Sequence, residues 1–135
     1  MTADSEPLAA GGPAVADWRV ECRVFKDPSP DQTTSSAVYS TEIVLKNQVT
    51  QISRSSQKRN LHPDIACDWD GAVSHRHAKI ELHPGGNAFL FDLGSTNGTM
   101  LNGQLISAND PVRLKDGDRI SPGGKTALII HGPKE

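Results

Sequence analysis

The chain has 135 residues, of which 36% are apolar and 22% are charged, and its formal net charge is -2. This length suits one domain with a core of its own, and the near-neutral charge balance excludes the generally basic surface of a nucleic-acid-binding domain. The chain starts without a signal-peptide pattern and contains no stretch apolar enough to cross a bilayer. We therefore expect a cytoplasmic protein with no membrane partner.

The amino end is rich in Ala, Gly and Pro and predicts a disordered leader over residues 1–16. One domain over 17–132 and a short tail over 133–135 complete the expected organisation. Cys22 and Cys67 are far apart in the sequence and form no CxxC motif. We expect two free, buried thiols rather than a disulfide or a metal site.

The first half of the domain predicts short strands. Apolar and polar residues alternate over Trp18–Phe25, which is the period of a half-buried strand. A polar loop with two prolines follows over Asp27–Ser36. Apolar residues then recur over 41–45 and 49–53, on either side of a turn near Asn47. This stretch predicts a β-hairpin.

The second half continues the same pattern. The alternation returns over Ala78–Leu82, and a turn at His83–Ala88 leads to a partner strand. Asn102-Gly103 predicts a two-residue hairpin turn, because both central residues of such a turn need positive φ. A further turn is expected at Lys115–Asp118. With no amphipathic helix of useful length, the chain predicts an all-β antiparallel sandwich or barrel with functional loops at one end.

Three polar clusters are placed at strand ends, over Ile52–Asn60, Val73–Ala78 and Asp92–Thr99. In the second cluster Ser74 directly precedes His75. Neighbouring residues on an extended chain point to opposite faces, so this pair is poorly placed to act as a nucleophile and its base. We do not expect an enzyme.

A metal site is no better supported. His75 and His77 are two residues apart and can share a face, but zinc needs three or four protein ligands. The remaining candidates, His62, His83 and Asp92, show no recognisable ligand spacing. We expect neither a metal nor a cofactor.

The same clusters suit an anion socket. Arg54 and Arg76 offer guanidinium donors, and Ser74, Thr96 and Asn97 offer hydroxyl and amide donors. Converging donors of this kind match a phosphate group, which has a nearly dianionic charge and three acceptor oxygens. For each cluster taken alone, solvated surface arginines beside a tight turn remain the alternative.

Taken together, the clusters resemble a forkhead-associated (FHA) domain. The resemblance rests on Ile52–Arg54, on SHRHAKI at Ser74–Ile80, on DLGSTNGTMLNG at Asp92–Gly103, and on LKDGDRI at Leu114–Ile120 followed by Gly123. It covers about Trp18 to His131, and the insert QKRNLHPDI is similar to that of bacterial members. The resemblance implies a β-sandwich of about eleven strands that recognises phosphothreonine rather than phosphoserine in a partner protein.

The resemblance also assigns roles to individual residues. Arg54 would be the main phosphate-binding arginine, Ser74 would give its hydroxyl to the phosphate, and Thr96 would lie beside it. Asn97 would bind the peptide backbone, and His75 would assist at the phosphate. The residues assigned to the scaffold are His77, Gly98, Asn102 and Gly103. Arg76 and Trp69 are candidate peptide contacts.

Two positions depart from the family pattern. Ser53 stands where the family usually has glycine, and His75 stands where Arg or Asn is common. We expect His75 to strengthen binding below about pH 6.5, against the loss of the second phosphate charge near pH 6. An acidic run at Asp68–Asp70 is expected to repel acidic peptides.

The sequence therefore predicts an adaptor that binds a Thr-phosphorylated partner in a Ser/Thr protein kinase pathway. A phospho-independent scaffold of the same fold is the alternative, and Ser53 is the feature that favours it. Phosphorylated Thr2, Ser5, Thr33 or Thr34 of the same chain are further candidate ligands.

Overall fold

The computed structural model describes residues 18–25 and 37–132. The expected leader, the polar loop over Asp27–Ser36 and the expected tail lie outside the described residues. The described part contains eleven strands and no helix. It likewise contains no helix that is long and apolar enough to cross a membrane.

The strands are short and follow one another closely along the chain. In order they are β1 Arg19–Phe25, β2 Ala37–Val44, β3 Val49–Ser53, β4 Ile65–Ala66, β5 Ala78–Leu82, β6 Ala88–Asp92, β7 Met100–Leu101, β8 Gln104–Leu105, β9 Val112–Arg113, β10 Arg119–Gly123 and β11 Thr126–His131.

The described strands form two sheets that enclose one core. One sheet has the order β2-β1-β11-β10-β7-β8 and the other the order β4-β3-β5-β6-β9. Alternate residues of each strand point into the core, as with Val20 and Cys22 in β1 and with Ile80 in β5, all of which are buried. The expected all-β sandwich is confirmed.

The hairpin expected around Asn47 is wrong. β2 pairs with β1 in the six-stranded sheet, whereas β3 pairs with β4 and β5 in the five-stranded sheet. The segment between them crosses from one sheet to the other, and Leu45 is buried where it crosses. Alternation predicts which side chains face the core, but both sheets face the same core, so alternation does not select the pairing partner.

The sandwich is not purely antiparallel either, because β3 and β4 pair in parallel. Two other expected hairpins are confirmed. β5 pairs with β6 across the turn that follows Leu82, and β7 pairs with β8. In the β7–β8 turn, Asn102 has a φ of 53° and Gly103 a φ of 84°, which are the left-handed values that this turn type requires.

The strand directions bring three loops to one end of the five-stranded sheet. Since β3 is antiparallel to β5, and β5 to β6, the end of β3, the start of β5 and the end of β6 lie at the same edge. The loops at this edge cover residues 54–64, 67–77 and 93–99. These loops contain most residues of the three polar clusters of the sequence. We call this end of the five-stranded sheet, where its strands begin or finish, the loop end.

Both cysteines are free and buried, as expected. Burial raises the pKa of the Cys22 thiol to about 11. Burial also raises the pKa of Cys67, and the nearby Cys22 acts in the same direction. Since the thiolate is the reactive form, both thiols are inert at neutral pH.

Candidate functional site

The middle loop of the loop end is joined to both of its neighbours by hydrogen bonds. The backbone N–H of Arg54 donates to the carbonyl of Ser74 at 3.1 Å, which connects the first loop to the second. The N–H of Thr96 donates to Ser74 Oγ at 3.1 Å, and Asn97 Nδ2 donates to the carbonyl of Ala72 at 3.1 Å. The structure therefore brings Arg54, Ser74, Thr96 and Asn97 together.

Arg54 is held at one atom of its guanidinium. Its Nε donates to the carbonyl of Val73, and the side chain is only partly buried. The terminal nitrogens Nη1 and Nη2 take part in none of the hydrogen bonds or ion pairs within the described residues. The guanidinium is thus fixed in place while its two terminal donors remain available for an anion.

Ser74 and Asn97 each use only part of their hydrogen-bonding capacity within the protein. Ser74 Oγ accepts a hydrogen bond from Thr96, so the hydroxyl proton remains free to donate. Asn97 donates one amide proton to Ala72, and its Oδ1 makes no hydrogen bond within the described chain. Each side chain is oriented by one protein contact and keeps a second hydrogen-bonding group for a ligand.

The buried side chain of His77 connects the second loop to the third. Its Nδ1 accepts from the N–H of Ser74 at 2.9 Å, so its proton lies on Nε2, which donates to the carbonyl of Gly98 at 3.0 Å. The side chain is fully buried, and this burial lowers the pKa of His77. His77 is therefore neutral at pH 7, and its single tautomer joins two loops.

Asp92 organises the third loop. Its Oδ1 accepts from the hydroxyls of Ser95 and Thr99 at 2.5 and 2.6 Å, and its Oδ2 accepts from the N–H groups of Gly94 and Ser95 at 3.1 and 3.3 Å. Burial by itself would raise the pKa of Asp92, but these hydrogen bonds outweigh it and hold the pKa below its usual value.

From the sequence Asp92 is a candidate metal ligand, whereas in the structure it supports the third loop. The signal that points to it is an Asp followed at short spacing by Gly, Ser and Thr, since a carboxylate can accept from the N–H and O–H groups of the turn that follows it. Within the described residues there is no group of three or more side chains that could hold a metal.

Ser53 is buried at the end of β3, and its carbonyl accepts from the N–H of Cys67 at 2.8 Å. Its φ is not positive, because the described non-glycine residues with positive φ are Asn60, Asn102 and Asn109. The backbone at position 53 therefore does not need a glycine. The serine is accommodated directly before Arg54.

The acidic run beside the loop end divides into an outward and an inward carboxylate. Asp68 is exposed and accepts from both the N–H and the hydroxyl of Ser55 at 2.7 Å. These bonds hold the pKa of Asp68 below its usual value, and Arg54 and His75 act electrostatically in the same direction. Asp68 is thus a carboxylate close to the candidate anion site.

Asp70 points the other way. It is buried, and its carboxylate accepts from the hydroxyl of Thr126 at 2.8 Å and from the N–H groups of Lys125 and Ala72 at 2.9 and 3.1 Å. Only Asp68 is therefore exposed to an approaching peptide. The indole of Trp69 is 37% exposed, and its Nε1 donates to Thr126 Oγ1 at 3.0 Å, so it is not part of the hydrophobic core.

His75 and Arg76 lie on the second loop, half-buried and exposed respectively. Ser74 Oγ bonds to Thr96 rather than to the neighbouring His75. Of the residues assigned to the scaffold, Asn102 and Gly103 form the turn between β7 and β8. Gly98 has a φ of 83°, in the left-handed region that favours glycine, and a Cβ there would also lie 2.5 Å from the tip of the exposed Leu105 side chain.

Comparison with known proteins agrees with these observations. Residues 58–123 match the model of the FHA domain. The chain is 36% identical over 80 residues to the glycogen accumulation regulator GarA of Mycolicibacterium smegmatis, a match that covers 59% of this chain and 48% of GarA. It is 42% identical over 82 residues to the serine/threonine-protein kinase RAD53 of Saccharomyces cerevisiae, with 57% of this chain and 10% of RAD53 covered.

A third relative is the protein phosphatase 1 regulatory inhibitor subunit PPP1R8 homolog of Arabidopsis thaliana, 26% identical over 119 residues that cover 84% of this chain and 29% of the relative. The chain spans less than half of the length of each of these relatives.

Solved structures of the same fold include one with a ligand. The N-terminal FHA domain of RAD53 from S. cerevisiae, solved in complex with a phosphothreonine peptide, has a TM-score of 0.61 at 26% identity, with 85% of this chain and 92% of that chain covered. The FHA domain of a hypothetical protein from A. thaliana has a TM-score of 0.63 at 26% identity, with coverages of 94% and 99%.

Proposed function

The chain carries an FHA domain, and on this premise we propose that it is a phosphothreonine-dependent protein-binding module that acts as an adaptor in a cytoplasmic Ser/Thr kinase pathway. The relatives support the general activity, since the RAD53 domain was solved with a phosphothreonine peptide. One observation carries the proposal for this chain. The loop end holds several polar side chains by one contact each and leaves their remaining donors for a ligand.

The phosphate would be bound by donors of complementary charge. The terminal nitrogens of Arg54 are the cationic donors, and the Ser74 hydroxyl adds a neutral one. Hydrogen bonds to a charged group are worth roughly 1.5–3 kcal/mol each, so two or three of them separate a phosphorylated residue from a bare one by several orders of magnitude. Thr96 would lie beside the phosphate.

The peptide backbone would be read next to the phosphate by Asn97. Its Nδ2 already donates to the carbonyl of Ala72, so Oδ1 would accept a hydrogen bond from a peptide N–H in place of water. His75 would assist at the phosphate, and Trp69 and Arg76 would contact flanking residues. Asp68 is close enough to Arg54 for their charges to interact, so an incoming phosphate would compete with it.

Calorimetric titration tests the proposal. The ligand is an oriented pool of phosphothreonine peptides, and the same peptides with plain threonine and with phosphoserine serve as controls. Arg54→Ala should abolish binding. Arg19→Ala is the matched control, because Arg19 is exposed at the start of β1, next to Val44 and at the opposite end of the sandwich, and it should bind as the unaltered chain does. Equal binding of plain threonine peptides would contradict the proposal.

A phospho-independent scaffold is the second candidate, and Ser53 was the feature that favoured it. The ordinary φ of Ser53 weakens that argument, because the backbone there has no need of glycine. The two candidates differ in their response to phosphatase. Treating the bound partner with alkaline phosphatase should release it from a phosphothreonine-binding module and leave it bound to a scaffold.

A further inference from the structure

A cavity of about 500 Å³ adjoins the loop end on the outward face of the five-stranded sheet. The residues that line it come from β3, from β5 and from all three loops, and they are Val49, Gln51, Ser53, Arg59, Leu61, His75, Arg76, His77, Ala78, Lys79 and Leu93. This volume is within the range of small-ligand sites, about 300–1,000 Å³. His75, Arg76 and His77 already have roles in the proposed phosphopeptide site, whereas Arg59, Lys79 and the apolar lining residues have none.

The cavity is cationic. Three of its lining residues, Arg59, Arg76 and Lys79, have permanent positive charges, and none of the eleven is a carboxylate. This local excess is notable in a chain whose net charge is -2. Lys79 is paired with Glu81 at 2.6 Å, so the two arginines provide most of the uncompensated charge.

The two guanidinium groups are available for a ligand. Within the described part of the chain, neither Arg59 nor Arg76 forms a side-chain hydrogen bond or an ion pair, and both are exposed. Within the described residues, neither of two nearby carboxylates, Asp64 and Asp68, forms an ion pair with these arginines. Asp64 accepts from the N–H of Gln51 at 2.8 Å, and Asp68 is bound to Ser55.

Part of the cavity lining is apolar. Val49, Leu61, Ala78 and Leu93 line the cavity together with the cationic groups. A ligand with an aliphatic stem and an anionic head fits this division, because the stem can contact the aliphatic side chains while the head meets the guanidinium groups. A phosphorylated side chain has this form, and planar guanidinium groups bind phosphate with two parallel hydrogen bonds.

The cavity lies beside the proposed phosphate site, because two of its lining residues, Ser53 and His75, are chain neighbours of Arg54 and Ser74. His75 lines the cavity, and both His75 and Arg54 contribute electrostatically to lowering the pKa of Asp68. Ser53, which also lines the cavity, directly precedes Arg54. A ligand group in the cavity would therefore lie near a peptide bound at Arg54.

We propose that this cavity binds a second phosphorylated residue of the same partner segment, held by Arg59 and Arg76. The proposal rests on the phosphothreonine-binding function proposed above and extends it from one phosphate to two. The partner is then a segment phosphorylated at two nearby positions, and the second phosphate increases affinity without replacing the first.

The test compares peptides with one and two phosphates. From the pool, one phosphothreonine peptide that binds is resynthesised with a phosphoserine placed about two to five residues before or after it, since an extended chain advances about 3.3 Å per residue. A parallel series carries glutamate at the same positions. The quantity measured by calorimetry is the ratio of the Kd of the singly phosphorylated peptide to that of the doubly phosphorylated one.

We expect this ratio to reach at least about fivefold at one spacing. In the double variant Arg59→Gln with Arg76→Gln it should fall below about twofold. Lys46→Gln removes one positive charge from the opposite end of β3, where Lys46 is exposed, and should preserve the ratio. Because a ratio is compared, any effect of Arg76 on the first phosphate cancels.

Three results would overturn the proposal. The first is a Kd ratio near one at every spacing although the singly phosphorylated peptide binds. The second is an unchanged ratio in the double variant. The third is an equal gain in affinity from the glutamate peptides, which would show that the cavity binds carboxylates as well as it binds phosphate. If no peptide with one phosphate binds at all, both this proposal and the proposed function fail, so the two failures are distinguishable.

Discussion

Two regions of this molecule are built from similar residues and differ in what they leave free. At the β7–β8 turn, Asn102 Nδ2 donates to Asp118 Oδ1 at 3.0 Å, and Asn102 Oδ1 accepts from the N–H of Arg119 at 3.0 Å. Asp118 Oδ2 accepts from the N–H of Lys115 at 2.8 Å. Both side chains therefore use their polar atoms within the protein.

The loop end uses the same chemistry only in part. Asn97 donates to Ala72 but leaves Oδ1 unbound, and Ser74 Oγ accepts from Thr96 but keeps its proton. An Asn or a Ser in a tight loop therefore does not by itself mark a binding site. What distinguishes a binding loop is the hydrogen-bonding capacity that remains after the loop has been held in place.

The largest expected effect comes from removing the support of the third loop. Asp92→Ala removes four hydrogen bonds to Ser95, Thr99 and Gly94, and it leaves the hydroxyl of the buried Thr99 without its partner. We expect the free energy of unfolding to fall by about 2–4 kcal/mol, measured by urea denaturation. Phosphopeptide binding should weaken with it. A loss below about 0.5 kcal/mol would show that Asp92 is not an anchor.

The comparison of the two asparagines is sharpened by truncating each. Asn97→Ala should weaken phosphopeptide binding by roughly tenfold and lower stability by less than about 1 kcal/mol, because one of its hydrogen bonds belongs to the ligand. Asn102→Ala should lower stability by about 1–2 kcal/mol and leave the Kd unchanged. Calorimetry and denaturation of both variants are needed. Equal effects on binding would remove the distinction between the regions.

His77 should make stability depend on pH. Burial lowers the pKa of His77 in the folded state, so the unfolded chain binds this proton more readily. The stabilisation is therefore complete above the unfolded value of about 6.5 and is lost as the pH falls below it.

The measurement is the free energy of unfolding between pH 7.5 and pH 5, compared with that of His77→Gln. The variant should be less stable at pH 7.5 and show a flatter dependence. The carboxyl groups of Glu21, Asp68, Glu81 and Asp92 have pKa values held below their usual range, so they contribute little in this window. Parallel curves for the two proteins would exclude His77 as the source.

The smallest effect is expected at Ser53, one of the two positions that depart from the family pattern. Ser53→Gly should change phosphopeptide affinity by less than about twofold, and it should lower stability by about 0.5–1 kcal/mol because glycine gains freedom in the unfolded chain. Titration and denaturation test this directly. An increase in affinity of tenfold or more would indicate that Ser53 displaces Arg54, and would favour the scaffold function.

The sequence predicted the local features of the fold well. The β5–β6 and β7–β8 hairpins follow from alternation and from the Asn102-Gly103 turn, because both depend on residues close in the chain. The pairing of β2 and β3 could not be predicted in this way, since two facing sheets present the same alternation to one core.

The candidate site shows the same division. Donor residue types and their order pointed to the three loops, but not to which donors are already used. Asp68 and Asp70 are close in the sequence, yet one is exposed and the other accepts three hydrogen bonds in the interior. Which carboxylate faces a ligand depends on contacts with Thr126 and Lys125, more than fifty residues away.

The most direct test of the central claim is an amide chemical-shift titration of the protein with one phosphothreonine peptide that binds. We predict that the largest shifts occur at the N–H groups of Arg54, Ser74, Thr96 and Asn97, and that those of Asn102 and of the Lys115–Asp118 turn stay in place. The plain threonine peptide should cause no shifts in either region. Shifts centred on the turn, or spread equally over both regions, would contradict the claim that unused hydrogen-bonding capacity at the loop end forms the binding site.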